Sequence, residues 1–419
     1  MSRLQQSKKA PLSATQRGAL VAGIASIVAA GSYTTLAGLL TTELVKEIGW
    51  GVDTVGPGIA INMIFYGLAA PFSIYIMRRH GIAKVANTAL LLLILGSCLI
   101  LFPMPLLFNL VWGFMIGIGT GCLTMAYGGL IVKTWFPDRQ GIISGYLVAS
   151  SVFGQFALLP FWSEIMQAFG WRAPLIGAAL IAACAIGINI LFLREPVRVQ
   201  SDDLPKKTDG HTRLYQEVLQ GVAKAMKTRI FWTLSALFVI CGATTNGIMW
   251  SHFTMAATIC GLTVTAASSV LLLIGIFNVF GTTLSGWLTD RIDVRTILAV
   301  VFLARALTLL WLPAIMTGVF DSRIITFGII FGIMDVATVP PIITICNRVY
   351  GDDGPSIFAW VNVFHQLGAG LMALSGSMIW IAVGSYDPLW YVSGALCIVA
   401  SVVVYTNSYR TRFSAPVPS

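Results

Sequence analysis

Three ionisable side chains stand inside long apolar stretches of this 419-residue sequence, and their types are those of proton transfer. Asp335 interrupts the run IITFGIIFGIMDVATVPPIITI, residues 324–345. Counted along a helix from the start of that run, it lies roughly 16 Å into an apolar layer about 30 Å thick. An unpaired charge at that depth costs at least about 2.5 kcal/mol, so Asp335 needs a partner, a proton or a polar cavity. Arg305 and His365 lie at similar depth in two other apolar runs. A carboxyl group and an imidazole together can take up and release a proton. Arg305 and Asp335 can instead form a permanent ion pair that clamps neighbouring helices. The sequence leaves both readings open.

Around these groups the apolar runs carry uncharged side chains able to hold a solute by hydrogen bonds. Asn62 and Tyr66 are four residues apart and share one helical face. Gln155, Asn278 and Asn362 are single amides in other runs, and Asn246 closes the cluster Thr244, Thr245, Asn246. His252 follows Thr245 by seven residues, two helical turns, and is read as lining the same cavity. One histidine without a second ligand does not make a metal site. Tyr33, Tyr127 and Trp360 supply rings that could cover an apolar or aromatic solute. The alternative for each amide is hydrogen bonding between helices, and for each ring ordinary packing.

The elements that position these residues follow from composition. The chain is 57% apolar and 10% charged, against roughly 25% charged in soluble domains. About twelve membrane-spanning helices account for its length. The expected division is an N-terminal segment (1–17), a six-helix bundle (18–193), a central loop with an amphipathic helix (194–229), a second six-helix bundle (230–405) and a tail (406–419). The fold class is therefore all-α, a polytopic membrane protein with two pseudo-symmetric six-helix bundles. The net charge of +9 does not signal nucleic acid. Of the 26 Lys and Arg residues, 22 fall on the side that holds both termini and only three on the other. That bias places both termini in the cytoplasm.

The two bundles are related in sequence. The turn after the fourth run aligns with the turn after the tenth at an offset of 214, pairing Asp138 with Asp352 and Gly154 with Gly368. Independently, RRHG at 78–81 aligns with DRID at 290–293 at an offset of 212. Parallel repeats of this kind mark alternating-access carriers whose site lies between the halves. The seventh run, 230–261, is long for one crossing and predicts a bent or partly unwound helix. No His-Glu-x-x-His, phosphate loop or other enzyme signature is present, and the glycine-rich MIGIGTGCLT lies inside an apolar helix. No cofactor or metal is expected.

These features resemble the major facilitator superfamily. GWLTDRIDVRT, 286–296, is similar to its cytoplasmic-gate motif, which implies gating roles for Asp290, Arg291 and Arg295 and for Arg79 in the N-terminal copy. In that copy Arg78 stands where the acid is expected. WFPDRQGIISG and the stretches Val339-Pro340-Pro341 and HQLGAG resemble bacterial members of the monocarboxylate transporter and oxalate/formate antiporter group. The resemblance implies a carrier of a small organic solute, a monocarboxylate or related anion. It would be proton-coupled through Asp335, His365 and Arg305, monomeric, and seated in the lipid bilayer of a bacterial inner membrane. The alternatives are an efflux carrier for a drug or metallophore, and a receptor or scaffold without turnover.

Overall fold

The computed structural model describes residues 11–194, 222–289 and 291–406. Twelve helices in it are long and apolar enough to cross a membrane. They are α1 (Ala14–Ile48), α2 (Val52–His80), α3 (Ile82–Ile100), α4 (Pro105–Trp135), α5 (Ile142–Phe169) and α6 (Arg172–Phe192) in the N-terminal half. The C-terminal half holds α7 (Arg229–Ile259), α8 (Val264–Thr289), α9 (Val294–Ile315), α10 (Ser322–Tyr350), α11 (Gly354–Val383) and α12 (Asp387–Thr406). Most of the expected amphipathic helix of the central loop lies outside the described residues. Successive spans reverse direction, so α1 starts and α12 ends on one face of the bundle, here called the near face.

Local chemistry fixes the helix starts. Ser13 accepts from the Gln16 amide while the Gln16 side chain reaches back to the Ser13 amide, a reciprocal cap at the head of α1. Asp293 and Asp321 cap α9 and α10 by accepting from main-chain amides one turn in. Large apolar side chains cover the outer surface, with Leu106 and Ile190 each 70% exposed, as a lipid-facing surface requires.

Glycines set how closely the helices cross. A methyl added at Gly154 in α5 would run into the Val28 carbonyl of α1, and one at Gly368 in α11 into the Val239 carbonyl of α7. The two glycines aligned in sequence therefore perform the same crossing in the two halves. Gly113, Gly117 and Gly121 let α4 lie against α2, and Gly328 and Gly332 do the same for α10 against α8.

Several spans are not regular. The long α7 turns π-helical over Ala243–Trp250, so the expected irregularity is a widening of the turns and not an unwound gap. Further π-helical turns occur at Leu44–Ile48, Val111–Ile116 and Phe153–Ala157. The helix of α10 stops at Asp335 and resumes at Val339, ahead of Pro340 and Pro341, whose rings cannot continue the preceding hydrogen-bond ladder.

Candidate functional site

The interruption of α10 leaves main-chain carbonyls without helical partners in the middle of an apolar bundle, and two side chains take them up. Arg305 of α9, fully buried, donates through Nη2 to the carbonyls of Met334 (2.7 Å) and Asp335 (2.6 Å). Its Nη1 reaches Cys241 Sγ (3.3 Å) and Thr244 Oγ1 (3.4 Å) of α7. Ser285 of α8 donates to the Ala337 carbonyl at 2.6 Å, and Thr338 lies 3.1 Å from Cys241 Sγ. A guanidinium at a helix C-terminus also meets the negative end of the helix dipole.

The Asp335 carboxylate faces the other way. Oδ2 accepts from Asn278 Nδ2 of α8 at 3.3 Å, and Oδ1 is buried without a hydrogen-bond partner. Among the described residues no ion pair joins this carboxylate to Arg305, whereas Arg295 pairs with Asp293 and Arg323 with Asp321 at 2.7 Å. The clamp weighed in the sequence analysis is thus formed with the main chain of Asp335. His365 of α11 is buried beside Phe238, with Nδ1 unpartnered, and lies near Cys241. Every one of these partners belongs to the C-terminal half.

The halves meet elsewhere. On the far face, α1 crosses α7 where Gly38 abuts the Trp250 carbonyl, and α2 crosses α11 where Gly56 abuts Ser377. There too α5 meets α8, where Thr265 Oγ1 donates to Glu164 Oε1 (2.7 Å), accepts from Gln167 Nε2 (2.9 Å) and lies 3.2 Å from Ser163 Oγ. Toward the near face the rings of Phe72 and Trp360 meet edge to face at 5.8 Å. Between these contacts lies a small cavity of about 10 Å³, lined by Thr34, Asn62, Met63, Tyr66 and Trp250. A larger void of about 180 Å³ is apolar and opens on the outer side of α8, α9 and α10.

Of the residues expected to hold a solute, Asn62 and Tyr66 line the inter-half cavity. Asn246 neighbours Gln366 across the α7–α11 crossing (3.5 Å), and Asn278 holds Asp335. Tyr33 is buried with its hydroxyl 2.8 Å from Ser97, inside the N-terminal half, and Tyr127 is likewise interior. His252 is fixed by the Ala373 carbonyl (2.8 Å), with its ring tilted against that of Tyr386 at 5.3 Å, so it staples α7 to α11. Gln155 donates through Nε2 to Ser151 Oγ (2.8 Å), and its main-chain carbonyl accepts from the Thr35 hydroxyl. Asn362 is half-buried on α11. Thr34 belongs to the small polar cluster at residues 31–35 of the first span, whose residues suit a cavity wall or a close crossing, whereas Trp250 and Met63 are cavity residues that sequence reasoning missed.

At the expected gate, Arg79 donates to the Tyr75 hydroxyl (3.2 Å) and Arg291 lies over the Trp287 ring, 3.9 Å from its centre. Arg295 pairs with Asp293 at 2.7 Å. Burial raises the Asp293 carboxyl, but the hydrogen bonds from Arg295 outweigh it and hold the group below its ordinary value. Asp290 lies outside the described residues. Among the described residues no group of three or more His, Cys, Asp and Glu side chains comes together to hold a metal.

A sequence profile described as the Major Facilitator Superfamily matches residues 22–318 and again 239–417. This chain belongs to that superfamily. It is a multi-pass membrane transporter of small solutes and not an enzyme. Among its relatives is an uncharacterized MFS-type transporter, YcxA, of Bacillus subtilis, 23% identical over 361 residues that span 84% of this chain and 83% of the relative. Monocarboxylate transporter 12-B of Danio rerio is 22% identical over 70% of this chain and 66% of its own length. An uncharacterized MFS-type transporter of Escherichia coli, YhjX, is 23% identical over 66% of each. The superfamily thus accounts for the paired six-helix halves and for the cavity where they meet.

Proposed function

We propose that this transporter moves a small organic anion, a monocarboxylate or a close analogue, together with a proton across a bacterial inner membrane. It works as a monomer with both termini in the cytoplasm. The observation that carries proton coupling is the Asp335 carboxylate: buried, held by a single amide, one oxygen unpartnered, and its neighbouring cation engaged by main-chain carbonyls. A carboxylate so placed is costly when ionised and is relieved by a proton. The monocarboxylate reading draws on the name of distant relatives. The orientation draws on the sequence, in which 22 of the 26 Lys and Arg residues fall in the segments assigned to the side of the termini.

In this reading the halves rock about the inter-half cavity. Asn62 and Tyr66 meet the solute, Asp335 carries the proton with His365 as a second carrier, and Asn278 and Arg305 set the position of Asp335. Arg79, Arg291 and Arg295 act at the near-face closure. The test is uptake of labelled propionate and lactate by proteoliposomes under an imposed pH gradient. Accumulation that collapses with a protonophore supports the proposal. Uptake of neither compound, or uptake indifferent to the gradient, overturns it.

A further inference from the structure

The larger void, about 180 Å³, lies behind the α10 hinge and opens on the outer surface between α8, α9 and α10. Its floor is Ile333, Met334 and Ala337, and the Met334 and Ala337 carbonyls are among those held by Arg305 and Ser285. Ser285 also lines the void, but its hydroxyl is spent on the Ala337 carbonyl (2.6 Å), so the walls it meets are apolar. An apolar cavity of this size stays dry and takes an apolar guest. The rim residues Leu284, Ile292 and Val300 are 51%, 44% and 56% exposed, so the guest enters from the lipid side.

Along α8 the lining runs from Gly281 to Leu288, seven residues or about 10 Å, and it continues to Ile292 and Thr296 at the turn into α9. The void therefore runs along the near-face leaflet, whose hydrocarbon is about 15 Å deep. A cation stands at its near-face end. The Arg291 guanidinium lies over the Trp287 ring, 3.9 Å from its centre, and spends one N–H on the Trp287 carbonyl (3.1 Å). Arg291 is exposed, and its remaining donors suit the oxygens of a phosphate. An apolar slot beneath an interfacial cation has the outline of one lipid. We infer that α8, α9 and α10 form a site for an anionic phospholipid of the near-face leaflet, one acyl chain in the void and its phosphate on Arg291. The seated chain packs against Met334 and Ala337 and so braces, from outside, the hinge that carries Asp335. A phosphocholine lipid brings the same chain, but its own cation opposes Arg291. One arginine at an anionic surface sets the preference at about fivefold.

The test places the intact transporter in phosphatidylcholine nanodiscs doped with a photoactivatable lipid. The probe carries a diazirine midway along one acyl chain and either a phosphoglycerol or a phosphocholine headgroup, and cross-linked peptides are mapped by mass spectrometry. The phosphoglycerol probe should label residues 281–288 and 296–301 about fivefold more than the phosphocholine probe. Both should label the exposed outer surface of α6, at Leu180 and Ile190, equally. Arg291→Gln should remove the preference, and Arg291→Lys should keep most of it. Ala337→Leu and Val300→Phe fill the void from its floor and its rim, and each should cut labelling there by either probe, with the thermal midpoint reporting that the variant is folded. Equal labelling by the two headgroups in the parent, or a preference that survives Arg291→Gln, overturns the anionic-lipid assignment. Labelling undiminished in every void-filling variant that folds overturns the void as the seat of the chain. The brace has its own readout. Phosphatidylglycerol added to the detergent-purified parent should raise the thermal midpoint more than phosphatidylcholine does, and the difference should vanish in Arg291→Gln. No difference in the parent overturns the brace, while the labelling decides the site.

Discussion

Arg305 grips the main chain of Asp335 and leaves its carboxylate to Asn278. The guanidinium lies 2.6 Å from the Asp335 carbonyl oxygen, whereas the nearest donor to the carboxylate is the Asn278 amide at 3.3 Å. One arginine thus closes the broken end of a helix and the acid on that helix stays free of a direct ion pair. The arrangement separates a mechanical task from a chemical one within two adjacent spans, and the separation has measurable consequences.

Removing the cap should unfold the hinge. Arg305→Ala strands the Met334 and Asp335 carbonyls in an apolar interior, where each lost hydrogen bond to a charged donor is worth about 1.5–3 kcal/mol. The expected outcome is a clear fall in the thermal midpoint of the purified protein. Arg305→Lys, which keeps the charge but offers no planar fork, falls between the two. A midpoint unchanged by Arg305→Ala would contradict the capping role.

Neutralising the acid should do the opposite. Asp335→Asn keeps the size of the side chain and can still bond to Asn278, so stability stays within about 1 kcal/mol of the parent. Accumulation driven by a pH gradient should disappear, while exchange of labelled for unlabelled solute across proteoliposomes with no gradient persists. Loss of both activities in a folded variant would show that Asp335 serves solute binding and not proton carriage.

The contrast between these two residues also marks how far the sequence could be read. The depth of Asp335 announces a charged span, which α10 is, whereas the break ahead of Pro340 and Pro341 was not read from the sequence. The direction of the Arg305 fork was not legible, because nothing in a linear sequence distinguishes a carboxylate acceptor from the orphan carbonyls of the same residue. His252 was assigned to the cavity by counting two regular turns from Thr245. The π-helical turns at Ala243–Trp250 break that count, and the imidazole rotates onto the Ala373 carbonyl while Trp250 takes the central position. Helical periodicity predicts faces only where the helix keeps its period. The twelve spans and the paired crossings of Gly154 and Gly368 needed no such precision, since hydropathy and small-residue spacing survive local irregularity.

Acid should loosen the start of α9. Asp293 caps that helix and pairs with Arg295, with the carboxyl held below its ordinary value of 3.8 against the opposing effect of burial. A depressed carboxyl stabilises the fold above its unfolded value, and that contribution is lost as pH falls through the folded one. Amide exchange at residues 294–297 should therefore accelerate as pH drops below about 4, after correction for intrinsic rates. Asp293→Ala should show fast exchange at neutral pH as well, with about 1 kcal/mol lost from the cap. Equal protection in parent and variant would mean that the cap contributes nothing.

The far-face contact between Ser163 and Thr265 offers a way to stop the transporter reversibly. Their hydroxyl oxygens lie 3.2 Å apart across the α5–α8 junction, and this junction joins the two halves. Two thiols in those positions need approach only about 1 Å closer to reach disulfide length. Seven native cysteines complicate the experiment, and of these Cys98, Cys184 and Cys260 are exposed, so those three are first replaced by Ser. In that background Ser163→Cys/Thr265→Cys should cross-link under mild oxidation and bind the halves together on the far face. If alternating access requires this face to open, solute flux in proteoliposomes falls to background on oxidation and returns on reduction, while either single variant keeps its flux under both conditions. Full flux in protein shown to be cross-linked would mean that α5 and α8 stay together throughout the cycle, and that the passage opens between α1 and α7 or between α2 and α11 instead.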